Sequence, residues 1–101
     1  TITLLEGKPH TFGKEHIIYR RPFMKNQIDA VKHAVENQDI AYKDKTHQNR
    51  ERVYCKGANP TKPSMYMAVV IEYNDPTNGT IITAWPTDKA LGGGDIVYVK
   101  P

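Results

Sequence analysis

The sequence predicts an α+β domain, with helices first and then a twisted antiparallel β-sheet of four or five strands that carries the helices on one face. Three observations point there. Apolar residues recur at helical spacing between residues 24 and 36. The most continuous apolar run, Ala68-Val69-Val70-Ile71, has the length of a buried strand. An Asn78-Gly79 pair then stands between that run and a second β-rich run, as in a hairpin.

Taken in order, residues 1–10 read as an entry segment closed by Gly7 and Pro9. Residues 11–21 suit a short helix, and Pro22 breaks it by biasing Arg21 away from helical geometry. Ile28, Val31 and Val35, with Ala34 beside them, give the 24–36 helix a narrow apolar stripe for the sheet, and Asn37 can stop it. Ile40–Tyr42 is a short extended segment, and 43–50 is a polar loop. Arg52–Lys56 alternates like a strand, and Gly57–Ser64 is a turn. Met65–Tyr73 is the central strand. Asn74–Gly79 is a turn with positive φ expected at Asn-Gly, and Thr80–Trp85 is the hairpin partner, ended by Pro86. Leu91–Gly94 reads as a flexible link, and Ile96–Val99 as an edge strand.

The chain has 101 residues, enough for one domain (1–101) and one modest core. The start lacks an initiator Met and the marks of a signal peptide, so the chain reads as a C-terminal piece of something larger. No apolar run approaches the roughly 18–20 residues that span a membrane. One cysteine, Cys55, precludes an intrachain disulfide and a cysteine-built zinc site; in a strand it reads as packing. The four histidines form no tight metal-binding pair, and Gly92-Gly93-Gly94 lacks the Lys-Ser/Thr of a phosphate loop. No metal and no cofactor is expected. The formal charge is +3 with a pI near 9.0, and the excess is concentrated at 14–33 and 43–62, which suits an acidic partner.

Five short strings occur in order: Glu15-His16-Ile17-Ile18-Tyr19-Arg20-Arg21, Asn37-Gln38-Asp39-Ile40, Val53-Tyr54-Cys55-Lys56, Tyr66-Met67-Ala68-Val69-Val70-Ile71 and Ile81-Ile82-Thr83-Ala84-Trp85. This succession, over about residues 12–86, resembles the barnase–EndoU–colicin–RelE (BECR) superfamily of small ribonucleases. It is most similar to phage-associated members and to the ribonuclease tips of contact-dependent growth inhibition toxins. The resemblance implies a toxin effector that cleaves tRNA or another RNA in the bacterial cytoplasm, delivered from a larger protein. It also implies a cognate immunity or antitoxin partner. The chain departs from the pattern at Arg20-Arg21, where many relatives have Arg-His, and at Trp85, where they have Tyr. Trp85 can stack or donate its N–H but cannot transfer a proton.

The chemistry also follows from the residue types. RNA carries its own nucleophile, the 2′-hydroxyl. Its cleavage needs a base, an acid and positive charge at the phosphate. His16 is the natural proton carrier. Arg20 or Arg21 can pair two phosphate oxygens, and Lys56 can hold charge or act as the acid. Thr83 can donate to the phosphate, and Trp85, two residues on, shares its sheet face and can stack a base. Arg21, Tyr54 and Lys45 are the expected further substrate contacts. The product would be a 2′,3′-cyclic phosphate. The rival readings are a non-catalytic RNA- or protein-binding module and an ADP-ribosyl transferase, whose glutamate motif is missing.

Overall fold

The computed structural model describes residues 1–58, 63–90 and 94–101. Two helices pack on one face of a six-stranded mixed sheet. The elements are β1 (Ile2–Thr3), α1 (Gly13–Arg20), α2 (Ile28–Glu36), β2 (Ile40–Lys43), β3 (Arg50–Lys56), β4 (Tyr66–Asp75), β5 (Asn78–Thr87) and β6 (Ile96–Val99). The strand order is β1-β5-β4-β3-β2-β6. The α+β architecture therefore holds, but the all-antiparallel sheet of four or five strands does not. The added strand is β1, which pairs in parallel with β5 through Ile2 and Thr3. Two residues carry no readable period, and their strand character comes from the free edge of β5.

The helical stretch from residue 24 divides. Pro22–Asn26 is a 3-10 turn with Pro at its start, and α2 begins only at Ile28. Asn37 is its C-cap, as its position suggests. Ala30, Val31 and Ala34 are buried, and α2 packs on β3 and β4. The core joins these residues to Ile17 and Met24 and to Val53, Met67, Val69, Ile71, Ile81 and Ala84 of the sheet. Cys55 is buried in the same layer, and burial, reinforced by Asp39, pushes its thiol pKa up, which suits packing rather than nucleophilic chemistry.

Three details of the β4–β5 hairpin differ from expectation. The strands extend to Asp75 and Asn78, so Pro76 and Thr77 make the turn. Asp75 closes it, accepting hydrogen bonds from Thr77 and Asn78 that hold its carboxyl down at about 2. Gly79 does not have positive φ. It is a contact glycine: a Cβ there would lie 2.8 Å from Ile71 Cγ2 and 3.0 Å from Ile2 Cδ1. Pro86, expected to end the strand, lies within β5 opposite Met67. It is tolerated because β1 covers only Gly79 and Thr80, which leaves the outer edge of β5 without a strand at Pro86. Residues 59–62 of the Gly57–Ser64 turn, Lys62 among them, and 91–93 of the glycine link lie outside the described residues. Among the described residues, no helix is long and apolar enough to cross a membrane.

Candidate functional site

The register separates the two faces of the sheet. Val53, Met67, Val69 and Ala84 face the helices, so their alternates face away from them. Cross-strand pairing arranges these alternates in rows. One row runs Arg50, Glu72, Thr80; the next Tyr42, Arg52, Val70, Thr83; the next Ile40, Tyr54, Ala68, Trp85; the last Lys56, Tyr66, Thr87. Four of the expected site residues, Tyr54, Lys56, Thr83 and Trp85, thus share one surface, the second face.

Trp85 is its focus. The guanidinium of Arg21, just beyond α1, lies 5.9 Å from the Trp85 ring centre, and that of Arg52, from β3, lies 5.5 Å from it. Both distances fall within cation–π range. Arg52 is aimed by Asp44, whose Oδ1 lies 3.8 Å from Nη2. Burial opposes ionisation of Asp44, yet hydrogen bonds with His47 and Thr46 and the charge of Arg52 hold its pKa below the usual carboxylate value. The Nε of Arg52 is buried with no hydrogen-bond partner. Tyr54 is 2% exposed, with the rings of Tyr42 and Tyr66 edge-on at 6.0 and 6.4 Å. It forms the floor of the face rather than an exposed substrate contact.

His16 is held by a built loop. Gly7 and Gly13 both have positive φ, and each packs where a side chain would strike backbone: a Cβ on Gly7 would overlap the Phe12 carbonyl oxygen, and one on Gly13 would lie 2.6 Å from the Leu5 oxygen. The closed loop brings the Pro9 carbonyl 2.8 Å from His16 Nδ1. A carbonyl only accepts, so Nδ1 carries the proton and a neutral ring keeps its Nε2 lone pair free. Helical spacing puts His16 and Arg20 on one flank of α1, and Lys14 and Ile18 on the other, which faces α2. His10 packs edge-on against Tyr19 at 4.6 Å.

The remaining expected residues are dispersed. Arg20 is exposed at the end of α1; Arg21, not Arg20, reaches Trp85. Lys45 is exposed in the loop after β2, three strands from β5, whereas Lys56, on the shared surface, is exposed at the end of β3. Among the described residues no hydrogen bond joins His16 to Thr83 or Lys56. Arg52 and Asp44 were not among the expected site residues. The alternation Arg50, Arg52, Tyr54, Lys56 was a readable signal that one strand face is basic. A larger cleft of about 840 Å³ lies between α1 and α2, but its Lys14, Lys25 and Lys32 are offset by Glu6, Glu15 and Asp29. It offers an anion no net charge. No protein-family model, curated protein or solved structure matches the chain.

Proposed function

We propose that the protein is an endoribonuclease that cleaves RNA with the substrate's own 2′-hydroxyl, at a phosphate held beside Thr83. The observation that carries this reading is the convergence of Arg21 and Arg52 on Trp85. A planar ring with two guanidiniums at 5.9 and 5.5 Å brings an aromatic surface and phosphate-pairing charge to one place.

In this reading Nε2 of His16 takes the 2′-hydroxyl proton. O2′ bonds to phosphorus, and the bond from phosphorus to O5′ breaks. The Lys56 ammonium gives its proton to O5′. A 2′,3′-cyclic phosphate and a 5′-hydroxyl end result. Arg21, Arg52 and the Thr83 hydroxyl donate to the phosphate oxygens as negative charge grows. The proposal extends to a BECR-type toxin effector that acts on tRNA or another RNA in the bacterial cytoplasm, with a cognate immunity protein to protect the producing cell.

The test is incubation of the purified protein with total RNA and tRNA in EDTA. Fragments ending in cyclic phosphate are expected, and His16→Ala should slow their formation by roughly 10²–10⁴-fold while keeping its far-UV circular dichroism. Intact RNA, or an unimpaired His16→Ala protein, would sink the reading. The separation of His16 from hydrogen-bonding reach of Thr83 favours one alternative, an RNA-binding module without cleavage. That alternative predicts binding that is insensitive to His16→Ala.

A further inference from the structure

The second face has another hollow, of about 360 Å³, on the opposite side of Thr83 from Trp85. Phe12 and Ile82 give it apolar walls, Thr11 and Thr80 add hydroxyls, and Arg50 and Glu72 line it with charge. Ile82 reaches it through a β-bulge. Val70 pairs with Thr83 and Ile71 with Ile81, so Ile82 has no partner on β4. A bulge re-aims a side chain in this way, and bulges are enriched beside active sites. The rows of the sheet set the order along β5: the hollow at Thr80 and Ile82, then Thr83, then Trp85.

We infer that this hollow takes the nucleobase on the far side of the phosphate at Thr83, so that the protein grips two adjacent unpaired nucleotides, one base on Trp85 and its neighbour between Phe12 and Ile82. The inference rests on the ribonuclease reading for the placement of the phosphate. The chemistry of the hollow suits a base. Its apolar walls match the faces of a base, and its polar groups match an edge. Glu72 accepts from Asn49 at 3.2 Å and lies 3.5 Å from Arg50 Nε, which is itself buried without a hydrogen-bond partner. A base edge can donate to the Glu72 carboxylate and accept from the terminal nitrogens of the Arg50 guanidinium. A base in a duplex has its faces stacked and its pairing edge occupied, so the site selects single strands.

Trp85 is the only tryptophan, so its fluorescence reports on the first base directly. The probes are single-stranded 2′-deoxy tetranucleotides, which lack the nucleophile, with each base in turn replaced by an abasic sugar. Loss of either of two adjacent bases should weaken binding roughly tenfold, and a duplex of the same sequence should not quench Trp85. Thr80→Phe fills the hollow and should erase the dependence on the second base while keeping the quench from the first. Phe12→Ala should do the same from the other wall, which guards against a folding defect in one variant. Binding indifferent to the second base, unchanged two-base dependence in both variants, or equal quenching by duplex would overturn the inference. Two-base dependence in a protein that leaves RNA whole keeps the hollow and removes the ribonuclease reading. Cleavage of RNA with indifference to the second base does the reverse.

Discussion

Glu51 and Arg52 are neighbours in β3 and face opposite sides of the sheet, and their surroundings make them behave differently. Glu51 lies toward the helices with Tyr73, in a hollow that also includes Lys43. Burial raises its pKa, and Lys43 only partly opposes this; burial and Glu51 in turn raise Tyr73. A raised carboxyl pKa means that the fold prefers the neutral form. The resulting stability is fully present below about 4.5, the ordinary glutamate value, and is lost as pH rises through the higher folded value. Glu51→Gln should therefore raise the melting temperature by roughly 1–3 °C at pH 7 and leave it unchanged below pH 4.5. Thermal melts at both pH values test this. Arg52 faces the other way. Its truncation should leave the fold intact and weaken single-stranded oligonucleotide binding by about 1–3 kcal/mol, read by Trp85 fluorescence, because it removes a phosphate donor and leaves Asp44 without its guanidinium. Arg52→Lys should recover part of the charge but not the planar pairing.

The elements hold the site through short, constrained pieces. α1 has eight residues and no side-chain N-cap, so it relies on the preceding loop and on Ile17 in the core. That loop fixes His16 through Pro9. Gly7→Ala should distort it, because the added carbon meets the Phe12 carbonyl and the positive φ disfavours a side chain. The expected result is a protein that keeps its β-sheet signal but loses nearly as much RNA cleavage as His16→Ala does, with a destabilisation above about 1 kcal/mol in urea melts. Unimpaired cleavage would show that the loop does not position the histidine. This division also explains what could be read from the sequence. α1, the α2 stripe, β3, β4 and β6 follow from period and punctuation. The bulge at Ile82 and the pairing of β1 do not, because the first depends on the register of β5 against β4 and the second on the register of β1 against β5.

Over the whole described structure, the helices pack on one side of the sheet, and Arg21 and Arg52 flank Trp85 on the other. The net charge is only +3, so any RNA affinity depends on a few local contacts rather than on a general field. With Arg21, Arg52 and Lys56 as the phosphate contacts, the logarithm of the binding constant should fall with the logarithm of salt at a slope of about −2 for single strands. Fluorescence titrations over a range of salt concentrations measure it. A slope near zero would remove phosphate recognition, and one far steeper would place the binding surface on a larger basic area.

The site residues expected from the sequence divide along the same line. Thr83 and Trp85 share a face by strand alternation alone, and Tyr54 and Lys56 share one by the same rule, so local pattern was enough for each strand. Local pattern could not join the strands. The pairing of Tyr54 with Ala68, and of Ala68 with Trp85, places those two sets on one surface, and it depends on register between segments some thirty residues apart. Nor could it choose between Arg20 and Arg21. The α+β class, the break at Pro22 and the chemistry-bearing residue types come from the sequence itself, because backbone preference and period act over a few neighbouring residues. The six-stranded mixed sheet, the meeting of Arg21 and Arg52 at Trp85, and the hollow beside Thr83 come from tertiary structure, because long-range pairing and packing decide which side chains meet.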